Sequence, residues 1–248
     1  MGKRKRLCIF GLIMCYFLLL AGEARAGELA ERLYHFPEWS KINSLQPAKG
    51  DLAYPEWMLG KWQVTSTLVD LVAPLAPDII TPGFASNRQY LNVPVKFDVK
   101  FIRKQPISAL SDVVADRTFN GLSLAKAYLG DNTVIAVKTD PNSPNRQITF
   151  LRGERQLISI VSKRGVETTF DDKFIASEVF QQRFQGGVSP YFNSVESTTA
   201  YQKLSTNNPM IEAEQVTAVY LSPQDPDYFA AGIHPVALYR YRLKFFHN

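Results

Sequence analysis

Pro94-Val95-Lys96-Phe97-Asp98-Val99-Lys100-Phe101-Ile102 alternates apolar and charged side chains almost residue by residue. In an extended chain successive side chains point to opposite sides, so Val95, Phe97, Val99 and Phe101 share one face and Lys96, Asp98 and Lys100 the other. A helical period would scatter both sets around an axis. The stretch reads as a strand with one buried and one wet side, the pattern of an antiparallel sheet. Near the C-terminus Tyr239, Tyr241, Leu243 and Phe245 oppose Arg240, Arg242 and Lys244 in the same way.

Working outward, comparable runs recur: Trp62 to Val69, Asn92 to Ile102, Thr133 to Lys138, Gln147 to Leu151, Gln156 to Lys163, Val166 to Phe170, Ile175 to Phe184, Val195 to Leu204, Ile211 to Leu221 and Val236 to Phe246. Between them stand turn-rich connections such as Asp140 to Asn145, Arg152-Gly153-Glu154 and Lys163-Arg164-Gly165, short enough to make hairpins of sequence neighbours. Gly121 to Leu129 alone breaks the rhythm and fits a short helix. The expected fold is all-β: an antiparallel up-and-down β-barrel of 8–10 strands, closed because closure removes exposed edges, with the helix as a lid. Residues 58–248 form this single domain, and the Pro-containing lead-in 27–57 is expected to lie over its body.

Ahead of the lead-in, Lys3 to Arg6 precede an apolar run from Leu7 to Ala21 and the small-x-small triplet Ala24-Arg25-Ala26. That order of basic, apolar and small residues marks residues 1–26 as a cleavable export signal. The apolar run is too short for a membrane span, which takes ~20 residues. Five of the 28 basic residues and one of the 23 acidic ones lie in this segment, leaving 23 against 22 after cleavage. A near-neutral chain lacks the field that concentrates proteins on nucleic acid. Both cysteines, Cys8 and Cys15, leave as well, so disulfides, thiol catalysis and thiolate metal sites are not expected.

Enzyme signatures do not stand out. The sequence has no Gly-x-Ser-x-Gly, no phosphate-binding Gly-rich loop and no His-Glu-x-x-His. Its carboxylate pairs, Asp171-Asp172 and Asp225 with Asp227, sit in turn contexts that favour Asp for local backbone hydrogen bonds. No catalytic residue, metal ligand or cofactor is predicted.

One constellation is informative: Gly60-Lys61-Trp62 at the first long strand, seen against the basic last strand. It resembles the lipocalins and their calycin relatives, whose barrels begin with Gly-x-Trp and set a basic residue of the final strand against that tryptophan. The resemblance implies that Gly60 lets the entering chain approach closely and that Trp62 plugs the closed end. Arg240 or Arg242 would then lie over its ring. Tyr54 to Trp62 and Asp116-Arg117-Thr118-Phe119-Asn120-Gly121 further resemble uncharacterised lipocalin-like proteins of cyanobacteria and chloroplasts. That likeness implies a periplasmic or thylakoid-lumen location.

The expected function is therefore binding of a small apolar molecule, such as a pigment, quinone or lipid, in a barrel lined by Phe97, Phe101, Ile148, Phe150, Phe180 and Tyr201. Arg117 beside Asn120 is the candidate for holding an anionic headgroup. The rival is a non-enzymatic assembly or interaction factor with a filled barrel, docking on a thylakoid or envelope membrane complex. A third option, a reaction vessel, needs a polar group isolated inside, and Glu178 and Gln182 are the nearest candidates. The Pro-rich stretch Ala73 to Gly83 reads as a rim loop, gating the mouth or covering it.

Overall fold

The computed structural model of the protein describes residues 27–81, 83–104, 112–187, 189–206 and 208–247. The export signal expected over residues 1–26 lies outside them. Helix α1 (Glu28–Tyr34) and a two-residue strand β1 (Gln46–Pro47) precede the long strand β2 (Gly60–Val72). There follow α2 (Phe84–Asn87), β3 (Pro94–Lys104), β4 (Asp112–Ala115), α3 (Arg117–Leu129), β5 (Val134–Asp140), β6 (Ser143–Leu151) and β7 (Arg155–Thr168). The chain ends in β8 (Phe174–Gln185), β9 (Tyr191–Lys203), β10 (Ile211–Leu221), α4 (Tyr228–Ala231) and β11 (Ala237–His247).

These strands form one curled antiparallel sheet in the order β4-β3-β2-β11-β10-β9-β8-β7-β6-β5, with β1 added on β7. The fold is all-β and barrel-like. First and last long strands pair, His247 standing opposite Trp62 and Leu238 opposite Val72. The sheet nevertheless remains a half-barrel rather than a closed ladder, because its hydrogen-bonded path ends at β4 on one side and β5 on the other. Helix α3 lies between these edges, packed on β3, β5 and β6. It is therefore part of the wall, where a lid was expected.

The register sorts residues into two faces. Inward stand Trp62, Val64, Phe97, Phe101, Phe174, Tyr201, Ala213, Leu243 and Phe245, which with Tyr54 and Met58 fill one end. The opposite, outer face at β8 to β11 is buried just as deeply, for Val216, Ala218 and Leu238 have no exposure at all. Their cover is the lead-in: Leu29, Leu33, Trp39, Ile42 and Leu45 pack on them and on Ile175 and Tyr220. A seven-residue helix such as α1 does not persist alone. Burial of its leucines, about 1.5–3 kcal/mol each, is what holds it.

The same cover explains where the turn expected at Lys163-Arg164-Gly165 went. β7 runs straight through it, with only a bulge between Val161 and Lys163. Gly165 is needed for contact rather than for a turn, since a Cβ there would stand 2.5 Å from Leu45 Cδ2. At the other end of the barrel the Pro-rich stretch is a packed cover. Leu75 and Ile79 join Leu221, Ala231 and Val236, and Phe84 packs on Tyr239.

Three sequence-level assignments change. Phe150 and Ile148 face outward, because Phe150 pairs with Gln156 and Ile148 with Ile158, on the face opposite Thr149 and Leu157. Lys138 lies over the Phe150 ring at 5.6 Å. Arg240 and Arg242 are not over Trp62: they pair in register with Asp70 and Thr67, several residues along β2, and Arg240 covers Phe36 at 5.3 Å. Trp62 is buried, donates Nε1–H to the Met58 carbonyl at 2.8 Å and meets His247 edge-on at 5.3 Å. Gly60 has φ +124 with nothing nearer than 4.0 Å to a would-be Cβ, so it supplies a backbone conformation, not a close approach. Gly165→Val, which overpacks the seam between β7 and the lead-in, is expected to destabilise the protein by about 1–3 kcal/mol in urea titration and to speed proteolysis within residues 27–45.

Candidate functional site

Six consecutive residues build the wall on the α3 side. Asp116 caps the helix by accepting from Phe119 N–H at 3.1 Å, and the four residues after Arg117 fasten it to the sheet. Thr118 Oγ1 lies 3.0 Å from Thr139 Oγ1 on β5. Asn120 accepts from Lys100 N–H at 2.6 Å and donates to Lys100 C=O at 3.1 Å, taking the place of a neighbouring strand. Ser123, one turn on, accepts from Asp98 N–H at 2.9 Å. Gly121 leaves room for Gln147, whose Nε2 lies 2.7 Å from where a Cβ would stand.

Arg117 is thereby fixed at the first helical position and reaches Glu178 on the inward face of β8. Its Nη2 donates to Glu178 Oε1 at 3.0 Å, and its Nε lies 3.8 Å from Asp51. Arg164 on β7 reaches the same oxygen with Nε and Nη2, at 2.8 and 2.6 Å. It also donates to Asn145 Oδ1 at 2.8 Å and to the Gly50 carbonyl at 3.2 Å. All three charged side chains are largely buried. Burial, the largest single influence, disfavours the Arg117 cation, but Glu178, Tyr54 and Asp51 together outweigh it and hold the guanidinium above its ordinary pKa.

The centre stands on an aromatic floor. Tyr54 packs against Phe101, Phe174 and Tyr201 with ring centroids 4.8, 5.6 and 6.2 Å apart, and Tyr201 against Phe245 at 6.0 Å. Burial pushes the Tyr201 hydroxyl up to about 12, and Tyr54 rises too, through burial first and then through Tyr201 and Glu178. Farther along the inward face Phe97, Phe180, Val195, Gln182 and Tyr241 are only partly buried. Its lining is mixed: Gln215 accepts from Thr199 and donates to Thr217, and Ser66 meets Tyr128 at 3.3 Å. Asn193 Oδ1, on the inward side near the Pro-rich cover, is buried without a hydrogen-bond partner.

The expected ligand-binding residues therefore divide. Phe101 and Tyr201 are floor, Phe97 and Phe180 are partly buried on the inward face, Arg117 joins the charged centre, and Phe150 is outside. Sequence reasoning missed Asp51, Tyr54, Asn145 and Arg164. Asp51 and Tyr54 lay in the lead-in, and Arg164 was read as turn. The signal that finds Arg164 is its place opposite Glu178, which requires the register.

A second concavity, a groove of about 1010 Å³, lies on the outer face beside α1, lined among others by Leu33, Ile175, Ala200 and Arg242 and flanked by exposed Tyr34 and Phe170. Among the described residues no group of three or more His, Cys, Asp or Glu side chains is arranged for a metal ion. No described helix is long and apolar enough to cross a membrane.

A family model described as Domain of unknown function (DUF6816) matches residues 46–248. The chain belongs to that family. No curated protein and no solved structure matches it. The matched span runs from β1 to the end of the sheet, so it takes in Asp51, Tyr54 and every other member of the charged centre.

Glu178→Ala, which leaves two buried guanidiniums with only Asp51 near Arg117 as a carboxylate, is expected to cost about 3–5 kcal/mol in urea titration. Arg117→Gln, which leaves Glu178 paired with Arg164, costs less. Tyr201 binds its proton more tightly when folded. The stability it carries is therefore complete below the ordinary tyrosine value of 10 and is lost as pH rises toward about 12. Tyrosinate absorbance and far-ultraviolet circular dichroism are expected to change together across that window.

Proposed function

We propose that this is an exported, lipocalin-like binding protein that holds one small amphipathic molecule in its lumen, the apolar body against Phe97, Phe180 and Tyr241 and an anionic head at Arg117. A pigment, quinone or lipid bearing a carboxylate or phosphate fits this chemistry. The observation that carries the reading is the charge balance of the buried centre. Two guanidiniums share one carboxylate oxygen, the second carboxylate, Asp51, stands 3.8 Å from Arg117 Nε, and among the described residues Arg117 makes a single hydrogen bond with a group that has five donors. A headgroup arriving there meets a preformed, partly desolvated donor, which strengthens a charge-assisted bond. The export signal read at residues 1–26 puts the work in the periplasm or thylakoid lumen.

A dansyl-labelled fatty acid tests the proposal by fluorescence titration of the purified mature protein. Saturable binding is expected, weakened about tenfold by Arg117→Gln, the loss of one charge-assisted hydrogen bond, and unaffected by Lys61→Gln on the outer face. No saturable binding, or equal binding by the Arg117 variant at temperatures where it is folded, overturns it.

The outer groove favours a second reading, an assembly or interaction factor that docks a membrane complex through Tyr34 and Phe170. Cross-linking to a membrane fraction that is lost in Tyr34→Ala and Phe170→Ala, with the fatty-acid titration negative, supports that reading over the first.

A further inference from the structure

Glu167, near the end of β7, is held in an unusual position. Its carboxylate touches Gly27: a Cβ added there would stand 2.1 Å from Cδ and 2.2 and 2.4 Å from the two oxygens. A side chain at residue 27 would have to push that carboxylate aside. One carboxylate oxygen, Oε2, accepts from Leu29 N–H at 2.9 Å. The other, Oε1, is buried with no hydrogen-bond partner. A buried carboxylate oxygen in that state is costly unless a donor, preferably a cation, reaches it.

Gly27 also directly follows Ala24-Arg25-Ala26, the small-x-small triplet that ends the export signal. The two observations have a common explanation. We infer that Gly27 is the first residue of the mature protein and that its new α-ammonium group forms an ion pair with Glu167, so that signal removal completes the outer face of the barrel. A signal peptidase, a hydrolase, supplies the reaction. Water adds across the Ala26–Gly27 peptide bond: the C–N bond breaks, the water oxygen goes to the Ala26 carbonyl carbon, which leaves as a carboxylate, and both water protons end on the Gly27 nitrogen, which becomes an ammonium.

A peptide N–H at position 27 carries one proton and no charge. The ammonium carries three protons and a full charge at the same atom, one bond from the carbon that already touches Glu167. A positive charge at the start of α1 is by itself unfavourable, because the helix end is itself partly positive. Glu28 and Glu31 in the first turn offset that cost, and Glu167 supplies the specific partner. The Gly27 carbonyl accepts from Glu31 N–H at 3.0 Å, so the terminus is held on both sides. Fastening it ties α1, and with it Leu29 and Leu33, onto β7 and the buried outer face.

Two measurements test this. Intact-mass and N-terminal analysis of the exported protein are expected to give Gly27 as first residue; any other terminus overturns the inference. For the ion pair, the protein is made with a protease that leaves Gly27 first, and again with Ala26 retained ahead of it, each in the Glu167 and Glu167→Gln backgrounds. Retaining Ala26 is expected to lower Tm by about 3–6 °C with Glu167 present and by much less in Glu167→Gln. The effect has a pH signature. A paired ammonium has its pKa raised above the ordinary α-amino value of about 7.7–8.0, so the added stability is complete below that value and is lost as pH rises through the raised one. An equal Tm drop in both backgrounds, or one that persists unchanged to pH 10.5, shows that the extra residue acts by bulk alone and overturns the ion pair.

Discussion

Everything in this fold depends on how the two ends of the curled sheet are satisfied. Backbone donors and acceptors on a bare strand edge invite pairing with another chain, and buried ones left unpaired are costly. β4 is too short to cover β3, and Asn120 and Ser123 take over where it stops, bonding the backbone of Lys100 and Asp98 with side chains. A helix thus does the work of a strand. Because Asp116 starts that helix at the seam, the next residue, Arg117, is carried into the lumen. Closure of the sheet and the charged centre are consequences of the same stretch, Asp116 to Ser123.

Among the described residues two buried ionic centres stand on opposite faces, and they differ in what surrounds them. Outside, Arg32 donates to Glu196 at 2.6 Å and stacks on Trp39 at 4.3 Å, with Tyr220 and Thr198 also bonding the carboxylate. Burial still raises the Glu196 pKa despite those partners. This centre is sealed beneath the lead-in and pins it to β9. Inside, the Glu178 centre opens toward partly buried aromatic residues. The same chemistry therefore fastens the lead-in on one face and joins α3, β7 and β8 on the other.

Much was legible in the sequence because it follows from a period of two. The alternation in Pro94 to Ile102 and in the last strand identifies strands with unlike faces, and short turn-rich links make sequence neighbours pair. The inward placement of Phe97, Phe101, Phe180 and Tyr201 follows from this. Phe150 went astray because Gln147-Ile148-Thr149-Phe150 alternates with Ile148 and Phe150 on the apolar side, and the structure turns that side outward while Thr149 is buried. Arg240 and Arg242 were drawn to Trp62 by the right pairing of strands, but pairing does not give register, and several positions separate them from the tryptophan.

What the sequence by itself determined is local: an all-β antiparallel chain, a short helix over Gly121 to Leu129, which the structure starts four residues earlier, and a near-neutral cysteine-free body once residues 1–26 are set aside. These depend on backbone preferences and spacing over a few residues. Only the tertiary structure decided that the sheet stays open and is sealed by α3, that the lead-in buries the outer face, and that Asp51, Arg117, Arg164 and Glu178 converge. Those outcomes join residues far apart in the chain, and the energy that selects them comes from burial and ion pairing, which exist only after distant segments have met.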